Sequence, residues 1–170
     1  MPHIHAQIDF VVSAFILNSS GSKVLLVQHR KLNGWFPPGG HIELHETPDD
    51  ALWREIWEET GLLRSQLTVL GPTQHSPTNR WDNLPDVENH NTCALITPYA
   101  MDVHDFPPLP GHRHVAFVYM LQTSCDDVWL EESAHVDIRW CDREDLEGLC
   151  LLPSITDYCR NLLNNTTEVT

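Results

Sequence analysis

Strands and helices alternate irregularly along this chain, which predicts an α+β domain, a mixed β-sheet sandwiched between α-helices. Three observations carry that expectation. Apolar, strand-like runs recur from residue 8 to residue 141, bounded by Gly, Pro, Asn, Asp and Ser. One strongly marked helix lies at 47–60, and two more helical stretches close the chain. No regular strand–helix–strand repeat is present, which argues against a purely parallel sheet.

Taken in order, IDFVVSAFIL (8–17) and KVLLVQHR (23–30) read as strands, and NSSGS (18–22) between them as the turn of a hairpin. KLNGWFPPGGHIEL (31–44) is rich in Gly and Pro and reads as irregular. In the helix at 47–60, Thr47 is the N-cap and Pro48 suits the first helical position. Asp49 and Asp50 favour the positive end of its dipole, and Gly61 is the stop signal. Strands are expected at 67–71, 92–100, 114–122, 127–132 and 136–141, with polar or proline-rich loops at 72–91 and 105–112. Helices are expected at 142–149 and 154–165. Residues 1–165 form a single domain on this reading, with 166–170 a frayed tail.

With 170 residues, the chain is long enough for one domain with a real core. Apolar residues make up 41% and charged residues 20%, a globular rather than disordered balance. The net charge of −14 argues against nucleic-acid binding and against anionic membranes. A phosphate-bearing small molecule remains admissible if cations are gathered locally. The five cysteines form no CxxC pair, so reduced thiols are expected. Asp9 interrupts the N-terminal apolar run and no basic region precedes it, so no signal peptide is expected and the location is read as cytoplasmic.

The stretch REIWEETG (54–61) raises the question of chemistry. At about 3.6 residues per turn, Glu55, Glu58 and Glu59 share one helical face, while Leu52 and Ile56 supply an apolar stripe. The carboxylates sit near the C-terminal end, where the dipole disfavours them, and they repel one another. Such a face is either a solvated acidic surface or a hard-oxygen site suited to Mg²⁺ or Mn²⁺. Gly39 and Gly40 let the backbone approach closely, which brings the Gly40 carbonyl into play as a further ligand.

From Gly40 to Leu62 the chain reads GHIELHETPDDALWREIWEETGL. This resembles the signature of the Nudix hydrolases, Gly-x5-Glu-x7-Arg-Glu-apolar-x-Glu-Glu-x-Gly-apolar. Nine specified positions agree over 23 residues, too many for coincidence in one chain, and the preceding WFPPGG is also typical of that family. The resemblance implies a Nudix fold and a Mg²⁺-dependent pyrophosphohydrolase, with Mn²⁺ as an alternative ion. Its implied metal ligands are Glu55, Glu58, Glu59 and the Gly40 carbonyl. Arg54 is expected to pair with a carboxylate and orient it, and Glu46 to form a structural salt bridge or loop hydrogen bond. The general base is a box glutamate, for which Glu58 is the choice, or a downstream carboxylate among Asp102, Asp105, Glu131 and Glu132.

The family hydrolyses nucleoside diphosphates linked to another group, so the expected partner is a nucleotide-derived small molecule. Arg30 and Lys31 are candidates to meet its phosphates, and His112 and His114 to bind substrate or metal. HRHVA (112–116) is similar to a His-x-His-apolar-Asp pattern of some Nudix proteins, with Ala116 in the place of the Asp. Trp35, Trp81 and Phe106 are stacking candidates. Pro77 lies 15 residues after Leu62, and a proline near there accompanies ADP-ribose specificity in some members of the family. ADP-ribose or a similar nucleotide sugar leads; a (d)NTP, or a catalytically silent nucleotide-binding module, is the alternative. A homodimer is left open.

Overall fold

The computed structural model describes residues 7–71 and 94–165. Among these, eight strands form one sheet: β1 Ile8–Leu17, β2 Val24–His29, β3 Gly34–Phe36, β4 Gly39–His41, β5 Leu67–Leu70, β6 Ala100–Asp105, β7 Arg113–Thr123 and β8 His135–Cys141. The helices are α1 Pro48–Thr60, α2 Arg143–Gly148 and α3 Pro153–Asn165. The sheet is mixed: β1 runs parallel to β7 along its whole length, and the other pairings are antiparallel.

Strand alternation divides β1 between two cores. Val12, Ala14 and Ile16 pack with Ala51, Leu52 and Ile56 of α1. Val11, Phe15 and Leu17 pack with Ile155, Cys159 and Leu162 of α3, and with Val118 and Met120 of β7. The sheet is therefore the middle layer, with α1 on one face and α2 and α3 on the other. Leu52 and Ile56 are wholly buried, whereas Trp57 points outward. The anchoring stripe of α1 is aliphatic.

Four details differ from the sequence reading. The expected hairpin of β1 and β2 pairs only at Leu17 and Val24. Beyond that point β1 turns to β4 and β7, and β2 to β3 and β8. Residues 31–44 contain two three-residue strands, β3 and β4, formed because β2 and β1 offer them edges. Residues 127–132 form no strand: the Trp129 N–H donates to the Thr60 carbonyl at the end of α1, at 3.0 Å. Of the strand expected at 92–100, residues 94–99 form none and β6 starts at Ala100, with the Ile96 N–H taken by the Asp49 carboxylate on α1; residues 92–93 lie outside the described residues. The proposed loop 72–91, with Pro77 and Trp81, and the tail 166–170 lie outside the described residues.

Candidate metal and active site

The helix carrying the acidic face begins with a full capping box: Thr47 and Asp50 satisfy each other's backbone N–H groups. It ends at Gly61, whose φ of 73° is the left-handed cap. A Cβ at Gly61 would overlap the Trp129 indole, so the close approach also requires glycine there.

Arg54 organises the acidic face. Its Nε and Nη2 donate to the two oxygens of Glu46, at 3.0 and 2.6 Å. Its Nη1 donates to Glu55 Oε1 at 2.8 Å and to Glu58 Oε2 at 3.2 Å. Nη2 also donates to the His41 carbonyl of β4 at 3.0 Å. Glu46 further accepts from the Glu43 N–H at 2.8 Å, which closes the 43–46 turn. The Arg54 guanidinium holds the Glu46 carboxyl below its ordinary range. Glu46 thus belongs to the scaffold, and Arg54 fixes one oxygen each of Glu55 and Glu58.

The other wall is β4. Gly40 lies so close to Glu55 that a Cβ there would overlap the carboxylate. The Gly39 N–H donates to Glu59 Oε2 at 3.0 Å. Gly39 has a φ of 154°, and a Cβ on it would collide with the Val12 carbonyl. The glycine pair therefore lets a strand edge meet two carboxylates at contact distance.

Burial governs the electrostatics. Glu55 is 2% exposed, and desolvation raises its carboxyl above the ordinary range against the pull of Arg54. Burial pushes the Glu59 carboxyl up to about 8. Its Oε1 faces His135 Nε2 at 3.2 Å. Burial also lowers His135, with His29 adding to the effect. Burial thus works against charge on both members of the Glu59–His135 contact, although its spacing resembles an ion pair. Glu58 is the more open member, with its side chain 45% exposed. Three carboxyl groups on one helical face are the oxygen donors a hard divalent cation takes, and its charge would offset the burial that disfavours ionisation of Glu55 and Glu59.

Not every candidate converges here. The Arg30 Nη2 donates to the carbonyls of Glu132 and His135, at 2.8 and 3.0 Å, and so braces the loop before β8. Lys31 is exposed next to it, its N–H on the His29 ring. His112 and His114 lie on the sheet face opposite α1, close to Asp9. Trp35 is buried beneath the Arg139 guanidinium, and Phe106 stacks on His114. Asp102 accepts from the Tyr158 hydroxyl, while Glu131 caps the 131–134 turn and stands 3.8 Å from His135 Nδ1. His135 was not foreseen: it reaches Glu59 only through the pairing of β8 with β2, which no local pattern announces.

A mixed sheet lies between helices, with a carboxylate-rich helix set against a glycine strand, an arrangement suited to a hard cation and the phosphoanhydrides it would polarise. A profile of the NUDIX domain matches residues 9–158, and the chain belongs to the Nudix family, whose members are pyrophosphatases. A NUDIX-family hydrolase from Clostridium perfringens superposes with a TM-score of 0.70 at 30% identity, covering 93% of this chain and 97% of that one. The NUDIX domain of Shewanella oneidensis NrtR complexed with ADP ribose shares the fold at 18% identity, with a TM-score of 0.61 over 96% of this chain and 90% of that one. The human m7GpppN-mRNA hydrolase NUDT17 is 40% identical over 75 residues, 41% of this chain and 22% of that protein. The RNA pyrophosphohydrolase of Psychrobacter cryohalolentis is 41% identical over 59 residues, 35% of this chain and 34% of that protein. The matches with these curated relatives span only a fifth to a third of their lengths. No helix among the described residues is long and apolar enough to cross a membrane.

Proposed function

We propose that this chain is a Mg²⁺-dependent pyrophosphohydrolase acting on a nucleoside diphosphate linked to another group, with ADP-ribose or a similar nucleotide sugar as the leading substrate class. The observation that carries the reading is the approach of Glu55 and Glu59 to the Gly39–Gly40 edge, with Arg54 tying Glu58 to Glu55 on the same helix. Glu55, Glu58, Glu59 and the Gly40 carbonyl would hold the cation. A divalent ion there supplies charge to phosphate oxygens and acidifies a bound water. Arg54 keeps Glu55 and Glu58 in place, so little reorganisation is needed during reaction. Glu58, the most exposed of the three, is suited to take the proton of an attacking water.

The RNA-processing names of the sequence relatives favour a second reading, hydrolysis at the 5′ end of an RNA. The net charge of −14 opposes an extended RNA track, because binding a polyanion requires clustered cations. The mononucleotide-sized substrate therefore stands first. The test is a panel of ADP-ribose, (d)NTPs, a dinucleoside polyphosphate, a cap analogue and triphosphorylated RNA, with Mg²⁺ or Mn²⁺. Phosphate release is read after added phosphatase. Turnover of ADP-ribose to AMP and ribose 5-phosphate is the expected result. Preference for the RNA ends would replace that substrate class, and silence across the panel would leave a nucleotide-binding module.

A further inference from the structure

Asp9 is fully buried at the start of β1, an unusual position for a carboxylate. Its surroundings are histidines from two other strands. Asp9 Oδ2 lies 3.3 Å from His41 Nε2 on β4 and 3.3 Å from His112 Nε2 just before β7. His114 completes the group: Asp9, His41 and His114 each offer one ligand atom within 4.8 Å of the others. The sheet register explains the meeting. Asp9 pairs with His114 across β1 and β7, and His41 pairs with Val11, the next residue on the same face of β1. His112 and His114 share a face because strand side chains alternate. His112 is 1% exposed and His114 8%, while the His41 side chain, at 14%, lies nearer solvent.

We propose that Asp9, His41 and His114, with His112 beside them, form a binding site for a transition-metal dication of the zinc class, distinct from the carboxylate site on α1. One carboxylate and imidazole nitrogens are the donor set that borderline metals take, whereas Mg²⁺ prefers oxygen and water. The spacing agrees. Ligands about 2.0–2.1 Å from a tetrahedral ion stand roughly 3.4 Å from one another. A charge-assisted hydrogen bond closes to about 2.7–2.9 Å. Between the proposed ligands, the Asp9–His41 distance of 3.3 Å falls at the tetrahedral edge rather than at the hydrogen-bond minimum, and His114 stands within 4.8 Å of both, a gap that a small side-chain shift onto an ion would close.

The location gives the site a consequence. On β4, Gly40 faces α1 and Glu55, whereas His41 faces the opposite side of the sheet. A cation held by the His41 imidazole would pin the strand whose next residue back lines the acidic site. The His41 carbonyl is itself an Arg54 acceptor, which adds a second connection between the two faces.

Cobalt(II) is the probe, because its visible absorption separates tetrahedral from octahedral sites. Chelator-stripped protein in excess Mg²⁺, which occupies oxygen sites, is titrated with Co²⁺ alone. One equivalent with intense tetrahedral bands is expected for the wild type and for Glu58→Gln. Asp9→Asn and His114→Gln should lose the bands. Paramagnetic NMR gives a check that needs no variant: imidazole N–H resonances shifted by bound Co²⁺ appear only if histidines ligate. Absence of tetrahedral bands and shifted imidazole signals in the wild type, or their loss in Glu58→Gln with retention in folded His114→Gln, overturns the proposal and leaves a hydrogen-bonded histidine cluster.

Discussion

Arg54 is one side chain with four dependants: Glu46, Glu55, Glu58 and the His41 carbonyl. Removing it leaves buried carboxylates without their counter-charge, which is costlier than losing an exposed pair. Arg54→Ala should lower stability by about 2–4 kcal/mol, the lower end reflecting its 26% exposed side chain. Equilibrium denaturation in EDTA measures this, and a change within about 0.5 kcal/mol would reduce Arg54 to a surface charge. The partner adds a pH signature. Arg54 depresses the Glu46 pKa, so the pair stabilises the fold above the unfolded value of about 4.3 and loses that contribution as pH falls through the folded value. Wild type should therefore melt above Glu46→Gln at pH 6, and the two curves should converge on acidification below about pH 4. A gap that persists in acid would assign the stabilisation to shape rather than charge. The sequence placed Arg54 beside a carboxylate, because their types and spacing are local. It did not show that Glu46 takes both arms of the guanidinium, which depends on how the 43–46 turn folds back.

At the scale of elements, α1 was legible because its signals are internal: a cap, a Pro, an apolar stripe and a terminal Gly. β3 and β4 were not. A three-residue strand has no periodicity to read, and it exists only because a longer strand offers it hydrogen bonds. The reverse error arose at 127–132, where an apolar run spends its backbone on the end of α1 and on turns. The β4 edge is also where the close approach can be tested. Gly40→Ala forces the Glu55 carboxylate away, while Gly40 itself needs no left-handed backbone. Its main effect should fall on the cation. Mg²⁺ affinity should drop at least about tenfold, roughly 1.4 kcal/mol, by isothermal titration. Unchanged affinity would mean that Glu55 does not ligate from this position.

Over the whole molecule, what could be read in advance was the acidic helix and the longer strands β1, β2, β7 and β8, each written in one contiguous stretch. What could not be read was assembled by register. Asp9 looked like an interruption of an apolar run, and only the parallel pairing of β1 with β7 sets it against His114. His135 meets Glu59 by the same kind of long-range pairing. This global arrangement sets the terms on which Glu59 is charged. Burial between β4, β8 and α1 holds it protonated near neutrality, and protonated glutamate has nearly the shape and hydrogen-bonding capacity of glutamine. In EDTA, Glu59→Gln should therefore leave the melting temperature essentially unchanged, because a neutral side chain of nearly the same shape replaces another. The Gly39 N–H can still donate to the amide oxygen, so β4 stays in place. Added Mg²⁺ should raise the wild-type melting temperature by binding linkage and raise that of the variant less, because one ligand is gone. Hydrolysis should fall by orders of magnitude, since a carboxylate that positions the ion contributes where transition-state charge develops. Apo stability and activity then move apart, as at a site kept for chemistry at some cost to the fold. Paired melts in EDTA and in Mg²⁺, beside a rate assay, decide it. A Glu59→Gln protein that melts well below wild type in EDTA would make the residue a structural partner of Gly39 and His135, and the cation would then have to be held by Glu55, Glu58 and Gly40 alone.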